Sequence, residues 1–200
     1  MPFIIGLTGG IGCGKTSASK LFANLGIDII DTDEIARELT QSEGAAISAI
    51  RKVFGDAYVT TNGALDRKQM RQLVFSDSTS RQKLEKILHP FILTEADRRS
   101  KLASSPYVIM VIPLLFETND YDKIIQRSLV IDCDEMNQIT RTMKRSKLNE
   151  QEVRAIIAAQ ISRQKRLQRS DDVIVNNNGL DYLQKQVKEH HQKYLALSKN

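Results

Sequence analysis

A glycine-rich segment near the start of the chain, GGIGCGKT at residues 9–16, has the residue types and spacing of a phosphate-binding loop. Its glycines allow several backbone N–H groups to converge on one anion without interference from side chains. A helix that begins in the segment would add unpaired N–H donors and a partial positive charge. Lys15 can reach the outer phosphates of a nucleoside triphosphate, and the Thr16 hydroxyl can bind a magnesium ion. The segment therefore predicts binding of a nucleoside triphosphate with Mg²⁺.

The residues around this loop predict the strand and the helix that such chemistry needs. Residues 3–7 are apolar, residues 16–25 have apolar side chains at helical spacing, and Gly26 is placed to close that helix. A second apolar run at 27–30 ends at the sequence Asp31-Thr32-Asp33. A strand, a helix and a second strand in this order form a βαβ unit, which predicts a parallel sheet.

The middle of the chain predicts helices and almost no strand. The helical patterns lie at residues 33–39, 44–54, 67–75, 79–88 and 90–103. Pro90 fits the first turn of the last of these helices. We therefore expect a helical insert between the second and third strands.

The rest of the chain returns to strands and helices in alternation. Apolar runs predict strands at 107–112, 128–132 and 173–175, and polar helical patterns lie at 135–147, 150–169 and 180–197. Asn149 followed by Glu152 predicts a capping box, and His190 and His191 are expected to face solvent. The predicted fold class is α/β: a P-loop core of three α/β/α layers with a parallel sheet, a helical insert and a lid.

Two carboxylates follow the second predicted strand. A kinase needs a carboxylate near the γ-phosphate to orient and deprotonate the acceptor hydroxyl. Asp31 and Asp33 stand at the carboxyl end of that strand, where open α/β sheets have their ligand crevice. We predict Asp33 as the general base and Asp31 as the residue nearer the metal. The alternative is that either carboxylate caps the following helix.

A basic helical segment follows the fourth predicted strand. It contains Arg141 and Arg145, which share one helix face because they are four residues apart. Arginines on a mobile lid can neutralise phosphate that is being transferred. The alternative is a basic helix face exposed to solvent.

Composition narrows the classes of function. The 200-residue chain has 29 Lys+Arg and 24 Asp+Glu, a mildly basic balance that suits a phosphate-bearing ligand but does not itself indicate nucleic acid. Its two cysteines are too few for a disulfide framework and fit a reducing cytoplasm. No apolar run approaches the roughly 18 residues of a membrane span, and no guanine-reading Asn/Thr-Lys-x-Asp motif occurs. We therefore expect a cytoplasmic protein with no nucleic-acid or membrane partner, and not a GTP switch.

Several further motifs follow the loop in a specific order. After IGLTGGIGCGKT come DTD at 31–33, LDR at 65–67, LEKILHP at 84–90, PLLFE at 113–117 and Q-x-x-R-x-x-x-R at 138–145. Gln160 and the segment from Asp172 to Gly179 complete the series. Many families share the loop, but this combination is far more specific. The chain thereby resembles the dephospho-coenzyme A kinase family over almost its whole length.

The resemblance implies transfer of the ATP γ-phosphate to the ribose 3′-hydroxyl of dephospho-CoA, the last step of coenzyme A synthesis, with Mg²⁺ as cofactor. It implies a nucleotide-binding core at residues 1–32, 105–135 and 170–200. A helical CoA-substrate domain would occupy 33–104 and a lid 136–169. The expected partners are the small molecules ATP and dephospho-CoA, and we expect a monomer or a weak homo-oligomer.

The predicted site residues fall into four groups. Those expected to act in catalysis are Asp33, Lys15 and Arg141. Those expected to bind ATP are Gly10, Ile11, Gly12, Cys13, Gly14, Lys15, Thr16, Ser17, Arg141, Asn176 and Asn177. Those expected to contact the acceptor are Asp33, His89, Leu114, Leu115, Glu117 and Arg145, with Glu117 alternatively pairing with a lid arginine. Those expected at the metal are Thr16 and Asp31.

Two other functions remain open from the sequence. One is another small-molecule P-loop kinase, acting on a nucleoside or a sugar acid. The other is a non-catalytic nucleotide-dependent protein that binds RNA through the basic segment. Cys13 also has two interpretations, a small filler residue or a thiol whose pKa is lowered by the helix N-terminus and Lys15.

Overall fold

The computed structural model describes residues 2–118 and 120–199. In these ranges one parallel sheet is formed by β1 (Phe3–Gly9), β2 (Asp28–Asp31), β3 (Tyr107–Val111), β4 (Arg127–Asp132) and β5 (Asp172–Val175). The strand order is β2-β3-β1-β4-β5, and every neighbouring pair is parallel. The predicted α/β fold with a parallel sheet is therefore confirmed, and each apolar run predicted as a strand lies in this sheet.

The described residues also form nine helices. They are α1 (Lys15–Asn24), α2 (Thr32–Leu39), α3 (Ile47–Phe54), α4 (Arg67–Ser76), α5 (Ser78–Leu102), α6 (Glu135–Ser146), α7 (Glu150–Ala159), α8 (Arg163–Arg169) and α9 (Leu180–Leu197). The chain forms two compact units. The first comprises the chain up to Asp31 and from Ser100 onward, and the second is Thr32–Arg99. No helix in the described ranges is both long enough and apolar enough to cross a membrane.

Aromatic side chains fix α1 and α9 on the sheet of the first unit. Phe22 of α1, Tyr107 of β3 and Tyr194 of α9 are fully buried. The ring centroids of Phe22 and Tyr107 are 6.5 Å apart, and those of Tyr107 and Tyr194 are 5.5 Å apart, both edge-on. Such pairs add to the free energy of apolar burial. This packing holds α1, and hence the loop that precedes it, against the sheet.

A buried carboxylate ties the amino ends of two strands to α9. Asp172, the first residue of β5, accepts hydrogen bonds from Arg127 Nε at 2.5 Å, Lys193 Nζ at 2.5 Å and the Tyr194 hydroxyl at 3.0 Å. Burial alone would raise the pKa of this carboxyl, but the three hydrogen bonds lower it to about 2. Asp172 is therefore charged across the physiological range and anchors the edge of the sheet.

The second unit has a small apolar core of its own. Its buried members are Ala46, Ile47, Ile50, Leu65 and Met70. Asp66 caps α4 by accepting hydrogen bonds from the backbone N–H groups of Lys68 and Gln69.

Three sequence-based expectations were wrong. The helices predicted at 79–88 and 90–103 are one helix, α5, with Pro90 inside it. Proline removes one hydrogen bond, but Leu88 and Phe91 pack against the same core on either side of it, so burial outweighs the break. The segment predicted as one helix at 150–169 is instead two, because the backbone is extended at Gln160 and Ser162 caps α8. His190 and His191, expected to face solvent, are both half-buried, and His191 is hydrogen-bonded to the Tyr107 hydroxyl at 2.8 Å.

Candidate active site

The glycine-rich loop joins the buried carboxyl end of β1 to the first turn of α1. Gly12 and Gly14 have positive φ angles of 74° and 98°, which L-residues with side chains rarely adopt. The N–H of Cys13 donates to the Gly10 carbonyl at 3.3 Å and closes a tight turn within the loop. The predicted strand–loop–helix arrangement for anion binding is therefore present.

The loop glycines are also required by side chains packed behind them. A Cβ on Gly10 would lie 2.0 Å from Gln138 Nε2, and one on Gly14 would lie 2.4 Å from Asn176 Nδ2. A Cβ on Gly12 would lie 2.6 Å from the Gln138 carbonyl oxygen. These distances are far inside van der Waals contact. The glycines thus allow α6 and the end of β5 to support the loop directly.

Three side-chain amides hold the loop backbone in place. Gln138 Nε2 donates to the Ile11 carbonyl at 3.0 Å, and Gln160 Oε1 accepts from the Ile11 N–H at 3.1 Å. Asn176 Nδ2 donates to the Cys13 carbonyl at 2.8 Å. Asn176 and Gln138 are both buried. Because both backbone groups of Ile11 are engaged, its peptide orientation is fixed before any ligand binds.

Lys15 and the first turn of α1 directly follow the loop and present polar groups beside it. The Lys15 ammonium donates to the Gly9 carbonyl at 2.8 Å and the Gly10 carbonyl at 3.2 Å. Thr16 and Ser17 are exposed in the first turn of α1. A charged ammonium and accessible hydroxyls at a helix N-terminus are suited to a polyphosphate and its metal ion.

Basic residues lie beside the loop on α6 and α8. Arg141 Nη1 donates to the Asn176 carbonyl at 2.9 Å, whereas Arg145, one turn further along α6, is exposed. Arg163 pairs with the buried Asp132 at the end of β4, with Nη2 and Oδ2 2.5 Å apart. This hydrogen bond raises the pKa of the Arg163 guanidinium. The pair connects the sheet edge to the segment that also supplies Gln160.

Cys13 and Cys133 meet beneath the loop. Their sulfur atoms are 3.1 Å apart, with the Cys133 thiol donating, and the side chains are 1% and 0% exposed. That hydrogen bond and the nearby Lys15 ammonium lower the pKa of Cys13, while the same bond and burial raise the pKa of Cys133. Cys13 is thus both a core residue and a thiol of lowered pKa. Its burial argues against the fast alkylation that the second interpretation would favour.

The acceptor-side residues are divided between the two units. In the first unit Leu115 is buried and Leu114 is about half exposed, and Glu117 Oε1 accepts from the Ile161 N–H at 3.1 Å. In the second unit Asp33 is exposed in the first turn of α2, and His89 is half-buried within α5.

Comparisons with known proteins agree with this geometry. A family model described as dephospho-CoA kinase matches residues 3–182. The chain belongs to the dephospho-CoA kinase family. A dephospho-CoA kinase of Nitrosomonas europaea is 58% identical over 199 residues, covering 100% of this chain and 98% of that protein. A dephospho-CoA kinase of Nitrosospira multiformis is 57% identical over 195 residues, covering 98% of each. The crystal structure of TT1252 from Thermus thermophilus has a TM-score of 0.83 at 29% identity, covering 96% of this chain and 97% of that one.

Thr16 and Asp31 are the two oxygen donors that the sequence predicts at a metal ion. The Thr16 hydroxyl is exposed at the loop, and Asp31 ends β2 in register with Val111 of β3, which is itself in register with Leu7. Two strand spacings, about 10 Å, therefore separate the Asp31 backbone from β1. No group of three or more His, Cys, Asp or Glu residues that could hold a metal occurs in the described part of the chain. Mg²⁺ is commonly held by one or two protein oxygens together with phosphates and water.

Sequence reasoning named Asn176 for ATP binding but missed the other residues that support the loop. Gln138 and Gln160 appeared in the family motifs without a role, and Asp132 and Arg163 were not singled out. Thr142 was also missed: its hydroxyl is buried beside Gly12 without a hydrogen-bond partner in the described structure. The amides at 138 and 160 were the available signal, since an amide can satisfy both a backbone N–H and a carbonyl.

Proposed function

We propose that this chain transfers the γ-phosphate of ATP to the ribose 3′-hydroxyl of dephospho-CoA, giving CoA and ADP. The observation that carries the proposal is the near-complete match to proteins named dephospho-CoA kinase at 57–58% identity. The supported glycine loop supplies the matching chemistry. The roles of the individual site residues are part of this proposal.

The loop and α1 form the ATP half of the site. Backbone N–H groups of Gly12, Gly14 and the first turn of α1 receive the phosphates. The N–H groups of Ile11 and Cys13 instead donate to Gln160 and to the Gly10 carbonyl, and so hold the loop in shape. Lys15 leaves the loop carbonyls and neutralises charge on the β- and γ-phosphates. Thr16 and Asp31 hold Mg²⁺, which neutralises negative charge on the phosphates when bound. Arg141 neutralises charge on the transferring phosphate; its hydrogen bond to the carbonyl of Asn176, whose side chain contacts the loop, supports this role.

The residues after β2 form the acceptor half. Asp33 orients the ribose 3′-hydroxyl and accepts its proton as the hydroxyl attacks the γ-phosphorus. Asp33 is two residues beyond the end of β2, at the carboxyl edge where open α/β sheets bind ligands.

The helical second unit can accommodate part of a large acceptor. A cavity of about 390 Å³ in this unit is lined mainly by apolar atoms of Leu39, Ala45, Pro90, Phe91, Thr94 and Glu95. His89 directly precedes Pro90 in α5. Residues 33–104 are accordingly proposed as the substrate domain and residues 136–169 as the lid. We place the reaction in the cytoplasm, where a chain with two reduced cysteines is expected.

An acceptor panel tests the function. ADP release is followed with dephospho-CoA, a nucleoside, gluconate and RNA, each with ATP and Mg²⁺. Release that depends on dephospho-CoA and exceeds the other reactions at least a hundredfold in kcat/KM is expected. Equal or faster release with another acceptor would overturn the proposed substrate.

A further inference from the structure

The two cysteines of the chain are the only thiols in the sequence, and the fold brings them together across 120 residues. Cys13 lies in the phosphate loop, and Cys133 directly follows the last residue of β4. Their sulfurs are 3.1 Å apart, whereas a disulfide requires about 2.05 Å. A movement of about 1 Å would therefore bring the sulfurs to bonding distance.

We propose that Cys13 and Cys133 form a reversible disulfide that weakens ATP binding, which makes the loop a thiol modification site. The part that concerns ATP rests on the proposed function. The lowered pKa of Cys13 favours it as the thiol that reacts first, and Cys133 is the resolving thiol.

A peroxide is the oxidant with which the reaction balances. The Cys13 thiolate attacks one peroxide oxygen, so that an S–O bond forms, the O–O bond breaks and the leaving hydroxide becomes water. The Cys133 sulfur then attacks Cys13 Sγ, the S–O bond breaks, and the leaving hydroxide takes the Cys133 proton as a second water. Two thiols and one hydrogen peroxide thus give one disulfide and two waters. A dithiol reductant reverses the modification by exchange.

The disulfide weakens ATP binding because the loop backbone cannot move with the Cys13 sulfur without losing its own contacts. The Cys13 carbonyl accepts a hydrogen bond from the Asn176 side chain, and the Cys13 N–H donates one to the Gly10 carbonyl. On either side, Gly12 and Gly14 leave no room for even a methyl group. A shift of about 1 Å at Cys13 therefore displaces the N–H groups that receive phosphate, and displacements of this size are costly at preorganised sites.

Thiol counting tests the disulfide. The full chain, without nucleotide, is equilibrated across glutathione redox buffers, quenched in acid, unfolded and labelled with a maleimide. We expect one transition from two labels to none, with a monomer that is two hydrogens lighter and a peptide linking residues 13 and 133. Two labels at the oxidising end, a glutathione on each thiol, or disulfide-linked dimers would overturn the proposal.

ATP titrations test the consequence. The oxidised monomer should bind ATP about tenfold more weakly than the reduced one, and dithiothreitol should restore the affinity. Reciprocally, saturating ATP should change the equilibrium constant between dithiol and disulfide tenfold in favour of the dithiol. This corresponds to a shift of about 30 mV in the redox midpoint. Equal affinities of the two forms, or an unshifted midpoint, would contradict the coupling.

Cys133→Ala is the matched control. It should bind ATP like the reduced wild type and yield no species lighter by two hydrogens. Such a species from this variant would show that the linkage is not Cys13–Cys133. Failure of the reduced wild type to phosphorylate dephospho-CoA would overturn the proposed function and leave the disulfide assignment standing.

Discussion

The side-chain amide of Asn176 donates a hydrogen bond to the Cys13 carbonyl at 2.8 Å and so fastens the end of β5 to the phosphate loop. The backbone of Asn176 is held as well, since its N–H donates to the Asp132 carbonyl and its carbonyl accepts from Arg141. One residue thereby joins the loop, β4 and α6. The order of the loop depends on groups far from it in the sequence.

Asn176→Ala should loosen the loop. Removing a buried hydrogen bond costs about 1–2 kcal/mol of unfolding free energy, and the freed Cys13 carbonyl should raise KM for ATP about fivefold to tenfold. Steady-state kinetics and thermal unfolding measure the two effects. Asn178→Ala, an exposed neighbour in the same turn, is the control and should change neither. An unchanged KM in Asn176→Ala would show that this hydrogen bond does not contribute to ATP binding.

Gly10→Ala should destabilise the protein through a collision with Gln138. The added methyl would lie 2.0 Å from Gln138 Nε2, and overpacking of this kind costs about 1–3 kcal/mol. In the double variant Gly10→Ala/Gln138→Ala the colliding amide is gone, so the two costs should fall short of additive by about 1 kcal/mol. Chemical denaturation of the four proteins of this cycle gives the coupling. Strict additivity of the two costs would show that the added methyl does not collide with Gln138.

Lys15→Ala should reduce kcat/KM for ATP by about 10²–10³-fold, because it removes a positive charge from the phosphates in the transition state. Lys20→Ala changes an exposed lysine on the same helix and controls for net charge. Initial-rate measurements with dephospho-CoA distinguish the two variants. Similar values for both would contradict the role of Lys15 at the loop.

Asp172→Asn should destabilise the protein by about 2 kcal/mol at pH 7, since Arg127 and Lys193 lose a buried charged partner. The folded-state pKa of about 2 lies below the ordinary aspartate value of 3.8, so the carboxylate contributes fully above the higher value. Its contribution is lost as pH falls from about 4 toward 2. The difference in unfolding free energy between wild type and variant should shrink over that window. A difference independent of pH would show that charge is not its source.

The sequence predicted the parts of the site that depend on local pattern. The positions of the loop, the strands and Lys15 follow from residue types at fixed spacing, and the capping box of Asn149 and Glu152 is present as predicted. Contacts made across long separations were not predictable in this way. Gln160 and Ile11 are 149 residues apart, and nothing near either residue indicates the other. At Pro90 the local pattern was misleading. Proline disfavours a helix interior, but α5 continues through Pro90 because the residues on both sides of it pack against the core.

The most direct test of the proposed activity is the position of the new phosphate when the purified chain is incubated with ATP, Mg²⁺ and dephospho-CoA. Phosphorus NMR of the product, with ADP measured in parallel, should show one phosphate on the ribose 3′-oxygen for each ADP released. Asp33→Asn should bind ATP nearly normally yet lose at least a hundredfold in kcat, while Glu34→Gln, one residue along α2, retains activity. Phosphate at another position, ADP release without a phosphorylated product, or near wild-type kcat in Asp33→Asn would contradict the proposed reaction and its base.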